Sequence, residues 1–185
     1  MTDKELIQGL IDGDQQAAAF LVNEYQVMVY NACYSFLHNV HNAEDVTQDV
    51  FIEAIKHAGR FRLESKISTW LYRIAINRSL NFIRNNRKHR VWYEINDFFN
   101  SSKQSLEPQT EADPAEQLEQ KNIIARAIDG LPDNQKIAFS LNKLEGLSYA
   151  EVAEIMDRKL PAVESLLHRA RLNLQKKLKA YYEIE

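Results

Sequence analysis

The sequence predicts an all-α protein of two helical domains joined by a flexible acidic linker, and three observations carry that prediction. Through the first ninety residues apolar side chains recur at three-to-four spacing, with glycine only at Gly9, Gly13 and Gly59. From about Val91 to Glu119 the periodicity gives way to NDFFNSSKQSLEPQTEADPAEQ, a polar, acidic stretch holding Pro108 and Pro114, which is linker composition. Helical pattern then resumes, and its last two helices have helix-turn-helix proportions. The expected boundaries are residues 1–90, 91–118 and 119–185.

A short first helix is expected from about Asp3 to Ile11, ended by Gly13 and Asp14. Asp14 is placed to cap a long second helix, whose set Phe20, Leu21, Tyr25, Val29, Ala32, Cys33 and Phe36 reads as core. Asn42 is expected to cap a third, running to about His57, because Glu44 and Asp45 follow where the helix dipole favours acids. Gly59 to Lys66 reads as a loop, and a long helix starts near Ser68 and continues to Arg90. In the second domain, a helix from about Pro114 to Ile128 is stopped by Gly130-Leu131-Pro132, and another runs from Asp133 to Leu144 with Gly146 as its terminating residue. Ser148 and Glu151 have the spacing of a capping box and start a helix to about Met156. The turn Asp157-Arg158-Lys159 leads into a final helix from Leu160 to Tyr181.

Composition narrows the function classes. A chain that is 45% hydrophobic with five Gly and four Pro is not collagen-like, low-complexity or wholly disordered. No apolar run reaches the roughly 18 to 20 residues that span a bilayer, and the acidic start lacks the basic end of a secretion signal. The expectation is a soluble, cytoplasmic protein with no direct membrane insertion. With Cys33 as the only cysteine, no intramolecular disulfide or multi-cysteine zinc site can form, and Cys33 reads as core. His38, His41 and Glu44 have a spacing that could touch a metal, but a helix break between them and the lack of further ligands argue for none. No glycine-rich phosphate loop, G-x-S-x-G or carboxylate dyad is present, so no enzymatic activity, cofactor or small-molecule substrate is expected.

The net charge of −3 conceals a segregation: −8 over residues 1–55, +9 over 56–90, −6 over 91–120 and +2 over 121–185. Two basic patches flank an acidic stretch, which suggests polyanion contact at two places. Projected at 100° per residue, Arg73, Arg84, Asn77, Trp70, Lys88 and Asn81 fall within an arc of about 80° on the long fourth helix. Leu71, Ala75, Phe82, Tyr72, Ile83 and Ile76 take the opposite, core-facing side. An aromatic and two amides on a basic stripe suit single-stranded bases stacked on a ring with phosphates held by cations. A helix-end core tryptophan beside a solvated face would leave the same pattern. In the last two helices, Ala153 allows close crossing, while Val152, Ile155, Val163 and Leu167 are placed for a shared core. A helix-turn-helix would present Arg158, Lys159, Ala162, Glu164, Ser165 and His168 to the major groove and Arg169, Arg171 and Lys176 to phosphates. A helical hairpin with a solvated basic face is the bland alternative.

Three segments carry a resemblance to the bacterial sigma-70 superfamily, specifically its small extracytoplasmic-function (ECF) group. NAEDVTQDVF, Asn42 to Phe51, resembles the family's core-polymerase-binding helix. FRLESKISTWLYRIAINRSLNFIR, Phe61 to Arg84, is similar to its promoter-melting and minus-ten-reading segment, and Leu131 to Gln175 to its minus-35-binding region. The resemblance implies that Asp45, Gln48, Asp49 and Phe51 dock on the polymerase β′ coiled coil, with the β flap as a further contact. It implies a minus-ten site of Arg62, Ser65, Lys66, Ser68, Thr69, Trp70, Arg73, Asn77, Asn81 and Arg84, with Ser65 to Thr69 capturing a flipped base. Ser148 joins Arg158, Lys159, Ala162, Glu164, Ser165, His168, Arg169 and Arg171 in the minus-35 set. An anti-sigma factor is implied as a further partner, and the acidic linker would thread the polymerase's RNA path. Pro161, Glu164 and Leu166 depart from residues common in the family, Glu164 being able to accept from a cytosine amino group. A stand-alone helix-turn-helix regulator with a sensing or dimerising N-terminal domain is the competing expectation.

Overall fold

The computed structural model describes residues 1–97 and 123–182, with side chains described for 1–86 and 123–179. Its elements are α1 (Asp3–Ile11), α2 (Gln15–Leu37), α3 (Val40–His57), a 3-10 turn (Ala58–Arg60), α4 (Ile67–Asp97), α5 (residues 123–129), α6 (Asp133–Phe139), α7 (Tyr149–Ile155) and α8 (Leu160–Tyr182). A π-helical stretch, Ser140–Leu144, continues α6 without a break. Helices α2, α3 and α4 pack on one another with α1 laid against α2, while α6 and α7 pack on α8. Where α1 meets α2, a Cβ at Gly9 would lie 2.7 Å from the Cβ of Ala17, so the crossing needs glycine. Leu21, Val29, Cys33, Leu71 and Ala75 are fully buried, as the helical periodicity predicts, and Val50 of α3 joins them. Burial pushes the Cys33 thiol up, as suits a core residue and not a nucleophile.

Two boundaries differ from expectation. Helix α4 continues to Asp97, past the boundary expected at residue 90; the first proline after it is Pro108, so no breaker stands in those seven positions. The remainder of the expected linker, and the start of the helix expected from Pro114, lie outside the described residues. The cap of α3 is Asn39, not Asn42: its side chain accepts from the Asn42 amide at 3.0 Å. His38, with φ 51, ends α2 in the left-handed region, and the chain turns within two residues. Replacing Asn39 by Ala should therefore cost about 1 kcal/mol of stability, and Asn42→Ala clearly less, as urea denaturation of the two variants will read. The opposite ranking would restore Asn42 as the cap.

The two units touch. One apolar cluster runs from α1–α4 into Leu141, Val152, Ile155, Val163 and Leu167, while Ala127, Ile128, Leu131, Ala170 and Leu174 form a second cluster under α8. The buried Lys136 ammonium pairs with Asp129 and sits 5.7 Å from the ring centre of Phe36 in α2. His38 Nε2, also from the first unit, lies 3.5 Å from Asp129 Oδ1. Burial pushes the Asp129 carboxyl up, but His38 and Lys136 outweigh it and hold it below the usual carboxylate range. A depressed carboxylate stabilises fully above its unfolded value, so this contribution is lost as pH falls through the folded one.

Candidate nucleic-acid interface

The loop before α4, the first turns of that helix and, opposite them, Glu154 and Asp157 at the end of α7 build a cleft of 520 Å³. Its aromatic wall is Phe61 stacked on Trp70, ring centres 4.8 Å apart and planes 23° from parallel. Arg60, Arg62 and Arg73 supply cations, with Glu64 and Ser65 completing this side. Leu63, exposed in the same loop, has φ 55, a conformation that a branched side chain adopts only when its surroundings impose it. The arrangement offers a flat π surface and positive charge to a planar, anionic ligand.

Arg73 closes one end of the cleft. Its Nε donates to the Ile155 carbonyl at 3.1 Å and its Nη2 to the Glu154 carbonyl at 2.7 Å. These carbonyls end α7, where a helix carries partial negative charge, so a guanidinium there is favourable. Thr69 Oγ1 donates to Glu154 Oε1 at 3.2 Å, and Arg84 Nη2 pairs with Asp133 Oδ2 at 3.3 Å. Asn77 and Asn81 are exposed. Asn77 lines a neighbouring 380 Å³ cavity with Arg73, Asn134 and Arg158. Of the predicted stripe, Trp70, Arg73, Asn77, Asn81 and Arg84 share one side of α4 as projected; Lys88 lies outside the described side chains.

The second unit contains the expected helix-turn-helix. Ser148 caps α7 in a full capping box with Glu151, and hydrogen bonds from the Ser148 hydroxyl and amide hold the Glu151 carboxyl below its ordinary range. The turn is a Schellman motif: Asp157 has φ 51, its amide donates to Glu154, and the Arg158 amide reaches back to Ala153 at 2.9 Å. This geometry lifts Arg158, Lys159, Ala162, Glu164, Ser165 and His168 into solvent at the start of α8. Arg169 is exposed, and Arg171 donates to the Tyr149 hydroxyl at 3.0 Å. Leu166 is 9% exposed within the apolar cluster, which gives a physical reason for leucine at that position.

On the far side of the first unit, α3 presents Asp45, Gln48 and Asp49 to solvent. Beside Gln48 runs a 330 Å³ groove floored by Gln26, Val27 and Tyr30 of α2, with Val27 67% exposed. Ile52, one turn after Gln48 on α3, is 48% exposed. Two predicted site residues behave differently. Phe51, assigned to docking, is 5% exposed, because at 100° per residue it turns toward the flank of Val50 and Ala54. Thr69, assigned to the minus-ten site, is also 5% exposed and is covered by Glu154. Conversely, Arg60, Phe61, Val27, Glu154 and Asp157 were not among the predicted site residues. The stack of Phe61 on Trp70 spans nine positions and a bend, so no periodicity announces it. Among the described residues no group of His, Cys, Asp and Glu is placed to hold a metal; His41 meets Glu44 at 3.8 Å while His38 turns to Asp129.

Comparison with known proteins covers both units. Residues 21–89 match the Sigma-70 region 2 family and residues 121–174 the Sigma-70, region 4 family. The chain is 35% identical over 185 residues to the ECF RNA polymerase sigma factor SigW of Bacillus subtilis (strain 168), covering 97% of this chain and 98% of that one. It is 32% identical over 182 residues to the ECF RNA polymerase sigma-E factor of Escherichia coli (strain K12), covering 96% and 95%. A solved structure of CnrH in complex with the cytosolic domain of CnrY superposes with TM-score 0.67 at 24% identity, covering 96% of this chain and 97% of that one. The sigma factor RpoE in complex with the anti-sigma factor NepR from Bartonella quintana gives TM-score 0.55 at 24% identity, covering 85% and 94%. At those identities the two structures speak for the fold.

Proposed function

The chain belongs to the sigma-70 superfamily as an ECF RNA polymerase sigma factor, and from that premise we infer how its surfaces divide the work of transcription initiation. It binds RNA polymerase core and directs promoter recognition and DNA opening. Sigma factors are transcription initiation factors, and this reading gives the chain no reaction of its own, a cytoplasmic place beside the polymerase, and an anti-sigma factor as remaining partner. Among the described residues no helix is long and apolar enough to cross a membrane.

The acidic face of α3, with Asp45, Gln48 and Asp49, docks on the polymerase, and the exposed Val27 and Ile52 widen the contact. The observation that carries the nucleic-acid reading is the Phe61–Trp70 stack edged by three arginines. A melted base extends the stack, Arg62, Lys66 and Arg84 hold the backbone, and Asn77 and Asn81 reach base edges. Extruding a base costs a few kcal/mol, supplied by joint binding of two DNA elements and a polymerase tether. The start of α8 enters the major groove at the second element, Arg158, Lys159, Glu164, Ser165 and His168 being its exposed polar set.

Run-off transcription of fragmented host DNA by core polymerase, with and without the chain, tests this division once the 5′ ends are sequenced. The expected result is a set of start sites absent with core alone, each preceded by two shared elements at fixed spacing. Tight duplex binding by the chain alone, with no new start sites, would overturn the reading in favour of a stand-alone regulator.

A further inference from the structure

We propose that Leu63, in the loop between Arg60 and α4, is an apolar wedge that packs against the base pair left at the edge of melted DNA and so fixes where opening begins. The inference rests on the reading of the neighbouring cleft as the site of an extruded minus-ten base. Two features of Leu63 are unfavourable in the free chain. Its φ of 55 holds the residue in the left-handed region, where glycine sits freely and asparagine or aspartate is tolerated. Its side chain is 44% exposed and belongs to neither apolar cluster. A single exposed leucine is ordinary on a protein surface. One held in a disfavoured backbone conformation, among the charged and polar Arg62, Glu64, Ser65 and Lys66, points to a contact made only in a complex.

The surroundings identify that contact as nucleic acid. Every other residue from Arg60 to Ser65 lines the cleft, so the leucine alone turns away from it, onto the outer lip of the loop. Arg60, Arg62 and Lys66 are exposed around it, cations suited to the phosphates on either side of a base step. Leu63 stands two residues from Phe61, a reach of at most about 7 Å, and stacked bases repeat about every 3.4 Å along a strand. A base added to the Phe61–Trp70 stack therefore brings the neighbouring base pair within one or two steps of the leucine. Extruding a base uncovers the apolar face of the pair beside it, and an inserted leucine, isoleucine, methionine or phenylalanine covers such a face. A branched aliphatic group makes that contact with a purine or a pyrimidine alike. The wedge thus acts on the position of the melted edge, while the base-edge contacts of Asn77 and Asn81 act on its sequence.

The test uses the holoenzyme of core polymerase and full chain, and reads the anisotropy of two fluorescein-labelled probes carrying a minus-ten element from the mapped start sites. One probe is the single strand alone. The other is a fork, duplex up to the extruded base and single-stranded beyond it. Leu63→Gly and Leu63→Asn, which relieve the backbone, should keep or raise the thermal midpoint of the chain. Both should bind the single strand within twofold of wild type and the fork at least fivefold more weakly. Leu63→Met, still apolar, should stay within twofold of wild type on both probes. Fork binding by the glycine and asparagine variants equal to wild type overturns the proposal. So does an equal loss on both probes, which would set the leucine against the polymerase or in support of the cleft. A wild-type holoenzyme that initiates at these start sites yet binds neither probe would strike the minus-ten reading of the cleft, and the wedge with it; normal wild-type binding with unaffected variants would strike the wedge alone.

Discussion

Asp45→Arg combined with Gln48→Ala should abolish co-purification with RNA polymerase core while leaving the thermal midpoint of the chain within a degree or two. Both side chains are exposed on α3 and make no side-chain hydrogen bond among the described residues, so the fold has little to lose. The face proposed for docking exposes Asp45 and Asp49, within a segment, residues 1–55, that sums to −8. A surface with that sign recruits a basic partner, and reversing one central charge replaces attraction with repulsion. Across a desolvated interface such a change costs about 3 kcal/mol or more, a loss of about a hundredfold or more in affinity. Val27→Ala on the neighbouring helix should weaken binding by a smaller factor, since it removes only apolar area. If the double variant binds core as the wild type does, the α3 face is not the docking surface. If it fails to bind and has also lost its cooperative unfolding, Asp49→Arg, on the same exposed face, is the variant to measure.

Helix positions were legible because they depend on short-range information. Apolar spacing, Asp14, the Ser148–Glu151 box and Gly146 each act within a turn or two, and the structure uses all of them. The misplacement of the α3 cap shows the limit of the same logic. Asn39 and Asn42 are both good caps, and only the turn at His38 decides between them. Phe51 shows a second limit. It follows Gln48 and Asp49 closely enough to be grouped with them by motif, yet two further steps of 100° carry it from Asp49 to the buried flank. The contact of Arg73 with the end of α7 was not legible at all. It joins residues more than eighty positions apart, across a segment whose composition constrains neither distance nor direction. Helical periodicity places Arg73 on its face, and nothing within a turn or two of it signals the carbonyl pair of Glu154 and Ile155 that it meets.

Trp70→Ala should stop promoter opening while sparing the first recognition step. In the wild type, the indole lies against Phe61 with its ring half-buried at the mouth of the cleft, the position from which a third ring can be added to the stack. Stacking on an aromatic contributes about 1–3 kcal/mol per base, and opening must balance the few kcal/mol needed to unstack and unpair a base. Removing the ring thus shifts the closed-to-open balance by about tenfold to a hundredfold. Permanganate reactivity of melted thymines should fall by that factor, while duplex binding at the upstream element, which depends on α8, is unchanged. A premelted template separates mechanism from damage, because there the unpairing cost is already met and transcription by Trp70→Ala should recover most of the way. Failure to recover would mean that the tryptophan supports the fold of the cleft. Trp70→Phe should keep much of the opening activity, since a smaller ring can still extend the Phe61 stack. Asn77→Ala offers the complementary outcome: if it acts on base edges and not by stacking, it should alter which sequences open without a matching loss on premelted DNA. Should both variants open promoters at the wild-type rate, the α4 face would be a solvated surface and the cleft would need another ligand.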